Sequence, residues 1–198
     1  MRQDILNRIG PLLDGRALPA DLVVLLELAE HDPEGRLQAA MGQLGATFID
    51  PATSHPLLDG SYLNEADRAD PFTMANVAAI DGVLSSAVIV VGTEDVRLYG
   101  YWLHPAETAD PPPILRLDSE GQFAVCPGAG LTEAVIADGC SDDESAFRAT
   151  VQLFSDAGVQ VAARAPGDVT EPVVVVHPAV LHDTLYQQEL ARRTPPTA

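Results

Sequence analysis

Val96-Arg97-Leu98-Tyr99-Gly100-Tyr101-Trp102-Leu103 reads as a β-strand rich in aromatic residues. Strand alternation places Tyr99 and Tyr101 on one face and Gly100 and Trp102 on the other, and one of these faces must enter a core. Upstream, Ala87 to Val91 is a short continuous apolar run, the pattern of a strand covered on both sides. Gly92-Thr93-Glu94-Asp95 turns the chain between the two. Downstream, a proline-rich connection, Ala109 to Pro113, leads into Ile114-Leu115-Arg116-Leu117. Asp118-Ser119-Glu120-Gly121 then forms a tight turn into Gln122-Phe123-Ala124-Val125. Consecutive strands joined by short turns predict an antiparallel meander.

The flanks change period. Ile5, Leu6, Ile9, Leu12 and Leu13 recur at helical spacing, although Gly10-Pro11 threatens that helix. Leu18-Pro19-Ala20-Asp21 opens a second helix, with Asp21 complementing its positive end and Leu22, Leu25, Leu26 and Ala29 on one face. Asp32-Pro33 ends it, and a third helix is expected from Gly35 to Leu44. Residues 46 to 72 are either a long surface excursion or a pair of short strands and a helix. Beyond the meander, helices are expected from Leu131 and from Ser141 to Ala157, the latter opened by the acidic cap Ser141-Asp142-Asp143-Glu144. Val159 to Ala163 and Val173 to Val176 read as two more strands, and Ala179 to Arg193 as a last helix. The predicted class is α+β, a mainly antiparallel sheet with helices packed on it. A helical N-terminal segment precedes the sheet, and a C-terminal αββα-like extension from residue 141 to 198 packs on the same domain as residues 1–140.

Composition bounds the chemistry. The 198 residues are 46% hydrophobic and 20% charged, which is ordinary for a globular chain with a core. No apolar run is long enough to span a bilayer, and Asp4, Asn7 and Arg8 break the start away from a signal-peptide pattern. A cytoplasmic location is the expectation. Twenty-nine acids against eleven bases leave a net charge of −18, and every one of those bases is arginine. That field repels phosphate backbones and disfavours nucleic acid, whereas it would steer a basic protein inward. A GC-rich genome or a saline habitat produces the same composition, so charge alone names no partner. The absence of lysine excludes a P-loop NTPase, a protein kinase and a pyridoxal enzyme, each of which needs a lysine at its phosphates or Schiff base.

Motifs are few. Cys126 and Cys140 have no second pair with which to hold zinc and are expected to be buried thiols. Gly128-Ala129-Gly130 precedes a helix as a dinucleotide loop would, but Glu133 stands where the third glycine belongs and presents the wrong sign to a pyrophosphate. His177 and His182 are five apart and cannot share a helix face as metal ligands; no catalytic residue, metal or cofactor is expected. Asp118 and Glu120 sit on a turn that must face water. The tyrosine face of Tyr99 and Tyr101 is a hot-spot candidate for protein binding if it stays exposed, with core packing the commoner fate.

Tyr99-Gly100-Tyr101-Trp102-Leu103, a proline-rich loop, Ile114-Leu115-Arg116-Leu117-Asp118-Ser119-Glu120-Gly121 and Leu131-Thr132-Glu133-Ala134 together resemble the SUKH superfamily, which groups a yeast cell-wall-synthesis regulator with many bacterial toxin-immunity proteins. Leu18-Pro19-Ala20-Asp21-Leu22 is similar to the family's early Leu-Pro helix entrance. The resemblance spans roughly residues 18 to 138. It departs where His31-Asp32-Pro33-Glu34-Gly35 replaces an Asn-Gly pair, and the segment from Ser141 onward extends past it. The resemblance implies an α+β binding protein, without catalysis, that neutralises a basic toxin (often a nuclease) by occupying its active site. Between Asp50 and Glu144 lie seventeen acids and three arginines, Arg68, Arg97 and Arg116, a local net of −14. Within that stretch Tyr99, Tyr101, Asp110, Asp118 and Glu120 are the expected partner-binding residues. The alternatives are a homo-oligomeric scaffold, dimerising through the sheet edge or the aromatic strand, and a small enzyme whose residues converge only in space.

Overall fold

In the computed structural model, which describes residues 2–49 and 55–194, the aromatic stretch is the middle strand of a five-stranded sheet. The strands β1 (Ala46–Phe48), β2 (Ala87–Thr93), β3 (Leu98–Trp102), β4 (Ile114–Leu117) and β5 (Phe123–Cys126) are antiparallel neighbours in chain order. Among the described residues the helices are α1 (Arg2–Leu13), α2 (Ala20–Glu30), α3 (Arg36–Gly42), α4 (Pro56–Asp59), α5 (Glu65–Ala69), α6 (Pro71–Leu84), α7 (Leu131–Gly139), α8 (Glu144–Asp156) and α9 (Pro178–Arg193). The fold is α+β, as the sequence predicts. No helix among the described residues is long and apolar enough to cross a membrane.

The alternation in β3 divides the protein into two cores. Tyr99 and Tyr101 join Val88, Val90 and Ile114 in the core closed by α1, α2, α3, α7 and α8. Leu98 and Trp102 join Ile89, Leu115, Leu117 and Phe123 in a second core, closed by Ile80 and Val83 of α6 and by Leu181 and Leu185 of α9. Both faces of the sheet are therefore covered, and all five residues of β3 are buried. The Trp102 indole N–H donates to Val176 O at 3.0 Å, so burying the ring leaves no orphan donor.

Local signals account for the helix ends. Asp70 accepts from both the Thr73 backbone N–H and its hydroxyl, and Pro71 occupies the first turn, so α6 begins there. Asn64 and Asp67 form a reciprocal capping box at α5. The cap of α8 is Asp143, accepting from Ala146 N–H, rather than the expected Ser141. α1 continues through Pro11 to Leu13 because the proline falls in its last turn, where few bonds remain to be lost.

The C-terminal αββα reading needs correction. Val159, Val161 and Ala163 are buried and alternate with exposed Gln160, Ala162 and Arg164, which is the predicted period of two. Yet neither this segment nor 173–176 pairs into the sheet. Three of their backbone donors go instead to carboxylates: Ala163 N–H to Glu133 Oε1, and Val175 and Val176 N–H to Glu107 Oε1. A buried carboxylate thus stands in for a neighbouring strand. Residues 144–163 and 178–185 contribute to the same two cores as the rest of the chain.

β2 carries a bulge at Val90, between the pairs Ile89–Gly100 and Val91–Tyr99. The bulge presses its backbone onto β3: a Cβ added to Gly100 would stand 2.1 Å from Val88 O and 2.7 Å from Ile89 Cα. Gly100→Ala is accordingly expected to cost at least about 3 kcal/mol, since main chain rather than a flexible side chain must move. Urea unfolding would show it as a lowered midpoint, and an unchanged midpoint would contradict the close approach.

Candidate functional site

A meander in chain order sends its hairpins to one end. The β2–β3 and β4–β5 turns lie together, while the β3–β4 connection lies at the opposite end of the sheet. At the hairpin end, α4 and α6 leave a groove of about 750 Å³ against the two turns. Leu57, Tyr62, Ile80, Val96 and Leu117 give it an apolar lining, with His55, Thr73, Asn76 and Glu120 as its polar points. Tyr62 is 49% exposed, and Val96 is exposed as well. A smaller cavity shares Leu57, Tyr62 and Ile80 and adds Asp59, Asp81 and Arg68. Burial raises the Asp81 carboxyl above its ordinary value.

The two turn carboxylates have different duties. Asp118 is half-buried and accepts from Glu120 N–H at 3.0 Å and Gln122 N–H at 2.9 Å, which closes the β4–β5 turn. Glu120 is exposed, and among the described residues its carboxylate is held only by the Gln122 side-chain amide at 3.0 Å. Of the pair, Glu120 has a charge free to meet a partner.

The other expected partner-binding residues are not at this groove. Tyr99 and Tyr101, 1% and 0% exposed, face the core of α1–α3, α7 and α8 and present no surface. Core packing won because helices cover the sheet on both sides. Asp110 is exposed, but it lies on the β3–β4 connection at the far end of the sheet. Sequence proximity within the acidic stretch did not translate into one surface.

Tyr99 has a polar role instead. Its hydroxyl donates to Asp138 Oδ2 at 2.6 Å, beside Arg97 Nη1 at 2.7 Å, and Arg116 Nη1 donates to Asp138 Oδ1 at 2.5 Å. Arg97 also pairs with Asp95 in the β2–β3 turn. Burial works against the charged Asp138 carboxylate, but the Tyr99 and Arg97 hydrogen bonds and the two guanidinium charges outweigh it and hold the carboxyl below its ordinary value. Tyr99 is pushed upward by burial and by Asp138. A cavity of about 290 Å³ opens beside Arg97, between Leu44, Glu94 and Gly139. Nothing in the sequence singles out Asp138, because its partners Arg97, Tyr99 and Arg116 lie 22 to 41 positions away in the chain.

The glycine loop closes on protein carboxylates. Asp21 Oδ2 accepts Leu131 N–H at 2.6 Å, and Glu133 Oε2 accepts Ala129 N–H at 2.7 Å. A Cβ on Gly130 would sit 2.6 Å from Asp21 Oδ2. The positive end of α7, where a phosphate would bind, already holds Asp21. His177 caps α9 through Ala179 N–H, and His182 bonds Asn76 Oδ1 at 3.0 Å between the rings of Phe123 and Tyr186. Both thiols are free and buried, and burial pushes the Cys126 thiol up to about 12. Among the described residues, no three His, Cys, Asp or Glu side chains gather as a metal site. Comparisons with protein-family profiles, with curated proteins and with solved structures each return no match.

Two outcomes follow from these contacts. Cys126 should resist a thiol-alkylating reagent at pH 8 in the native protein and react on denaturation, since almost none of it is thiolate at that pH; rapid native labelling by mass spectrometry would contradict this. Asp138 is lower in the folded than in the unfolded chain, so its contribution is full above the ordinary carboxylate value of 3.8 and is lost as pH falls through the folded value. Asp138→Asn should lower stability near neutrality by about 3 kcal/mol. Chemical denaturation at falling pH should show that deficit shrinking in acid, and a deficit independent of pH would refute the charge assignment.

Proposed function

We propose that this protein is a non-catalytic binding protein of the SUKH type, an immunity or regulatory protein that acts in the cytoplasm and neutralises a basic protein toxin, such as a nuclease, by occluding its active site. The observation that carries this reading is the apolar groove at the hairpin end, with Glu120 at its lip and Asp59 and Asp81 in the adjoining cavity. Arg68 is the arginine among these lining residues, and its guanidinium donates to Gly60 O.

Magnitudes divide the work between the two parts of the surface. Exposed ion pairs contribute only about 0–1 kcal/mol each, so the acids act chiefly on encounter rate and partner choice. Affinity has to come from apolar area, at roughly 25 cal/mol per Å² removed from water, and Tyr62 supplies an exposed ring for it. A nuclease active site, shaped to hold a polyanion, offers the complementary cationic surface. The net charge of −18 favours that encounter and disfavours a second copy of the same chain.

The test is capture from the source lysate across a salt series, with wild type, Glu120→Arg and Tyr62→Ala as parallel baits. A cationic protein retained by wild type at low salt, released by salt, and held less by both variants is the expected result. For the isolated pair, Glu120→Arg should mainly slow association, by about ten-fold at low salt, and Tyr62→Ala should mainly speed dissociation. A partner bound equally by all three baits would move the interface away from the groove, and capture of no cationic partner would count against the reading itself.

A further inference from the structure

One polar point of the hairpin-end groove is built by two helices together. Asn76 of α6 lines the groove, and its Oδ1 lies 3.0 Å from His182 Nε2 on α9. The imidazole is largely buried between the rings of Phe123 and Tyr186, and its other nitrogen is 3.6 Å from Asp183 Oδ1, too long for a hydrogen bond. An amide oxygen facing Nε2 requires the ring proton there. His182 accordingly donates to Asn76 Oδ1, and the amide nitrogen is turned the other way. That nitrogen lies at the β4–β5 turn, 3.5 Å from where a Cβ on Gly121 would stand. Among the described residues no group accepts from it, and it is not closed off from solvent.

The surrounding chemistry narrows what can meet this donor. Thr73 spends its hydroxyl proton on Asp70, and the Glu120 carboxylate at the lip only accepts. The walls around Asn76 are apolar at Leu57, Ile80 and Leu117. An occupant without an acceptor would strip the amide N–H of water and give nothing back. Cationic side chains cannot supply that acceptor, because arginine and lysine carry donors alone. Every segment does carry acceptors in its main chain, but a helix or a ladder has already used them. We propose that Asn76 is the specificity-determining donor of the groove, that it takes a free main-chain carbonyl from a cationic loop of the partner, and that His182 is the residue that positions it. This rests on the groove being the partner's seat, as proposed above, and adds what the partner must present there.

The experiment uses the full chain, labelled with nitrogen-15, and the cationic tetrapeptide acetyl-Arg-Leu-Gly-Arg-amide, which is too short to occupy its own carbonyls. NMR in mildly alkaline buffer should find the wild-type His182 proton on Nε2, and the Asn76 side-chain amide signals should move downfield as peptide is added. Asn76→Asp, His182→Gln and His182→Leu are titrated in parallel, each after urea unfolding has shown it folded; the two wild-type observations hold whether or not a variant folds. Asn76→Asp keeps the shape, removes the donor and adds a negative charge, so charge alone predicts tighter binding of this peptide. The expected result is the opposite, binding weaker by about ten-fold, the scale of one lost hydrogen bond. A glutamine amide reaches as far as the imidazole Nε2, so His182→Gln should keep wild-type affinity where His182→Leu loses it. Equal or tighter binding by Asn76→Asp, binding that leaves the Asn76 amide signals unmoved, or a ring proton on Nδ1 would each overturn the donor assignment. Equal binding by His182→Leu would overturn the positioning role. A peptide that does not bind wild type would also overturn the inference, whereas the partner-binding role of the groove falls only if the wild-type bait captures no cationic protein from lysate.

Discussion

The backbones of β2 and β3 meet so closely at Gly100 that nothing larger than hydrogen fits between them. Much else depends on that contact. It accommodates the bulge at Val90, and the bulge lets Val90 and Val91 both enter the core beneath the N-terminal helices. It also holds Tyr99 and Tyr101 on one side and Trp102 on the other, so a five-residue strand serves two cores at once. A sheet covered on both faces leaves only its ends and edges for recognition. The groove is accordingly found at one of those ends.

Acidity is partly architectural. Asp21, Glu107, Glu133 and Asp138 are directed inward, where they take backbone N–H groups, or in the case of Asp138 two guanidiniums and a phenol, that no strand or helix satisfies. Each of these carboxylates joins segments far apart in the chain, such as residues 107 and 175 or 21 and 131. A carboxylate is suited to this because it accepts several bonds at once and strengthens each by its charge. The acid excess therefore combines two populations, clamps that hold irregular backbone and exposed charges such as Glu120 that reach solvent. Arginine being the sole strong base fits the same scheme, since planar guanidiniums at Arg97 and Arg116 can share one carboxylate from two directions.

The meander was legible in the sequence because its turns are short and their residues carry turn chemistry, as at Asp118 and Gly121. The alternation of Tyr99, Tyr101 and Trp102 is legible in direction, and core packing is the commoner expectation for the tyrosine face; burial of both faces is not legible, because it depends on α6 and α9. α6 escaped notice even though Asp70-Pro71 is a helix start, since its buried and half-buried positions run almost all round and blur the 3.6 period. Residues 159–163 show the opposite lesson. Their period of two is real and reports burial, but pairing requires a neighbour with free donors, and period carries no information about neighbours. The candidate surface was legible only at Asp118 and Glu120, where a tight turn guarantees exposure. Asp138 and Glu107 gave no signal because their importance lies in contacts across 22 to 69 positions of chain.

The sheet order has a consequence for how the chain assembles. β2, β3 and β4 each pair with the next strand in sequence, so zipping β2 to β5 together closes only short loops. β1 is the exception: it reaches β2 across a connection that carries α4, α5 and α6. Loop-closure entropy is concentrated at that one junction, while the rest of the sheet has the local contact pattern associated with rapid folding. The three-residue β1 is thus the natural last arrival, the strand whose docking completes the sheet.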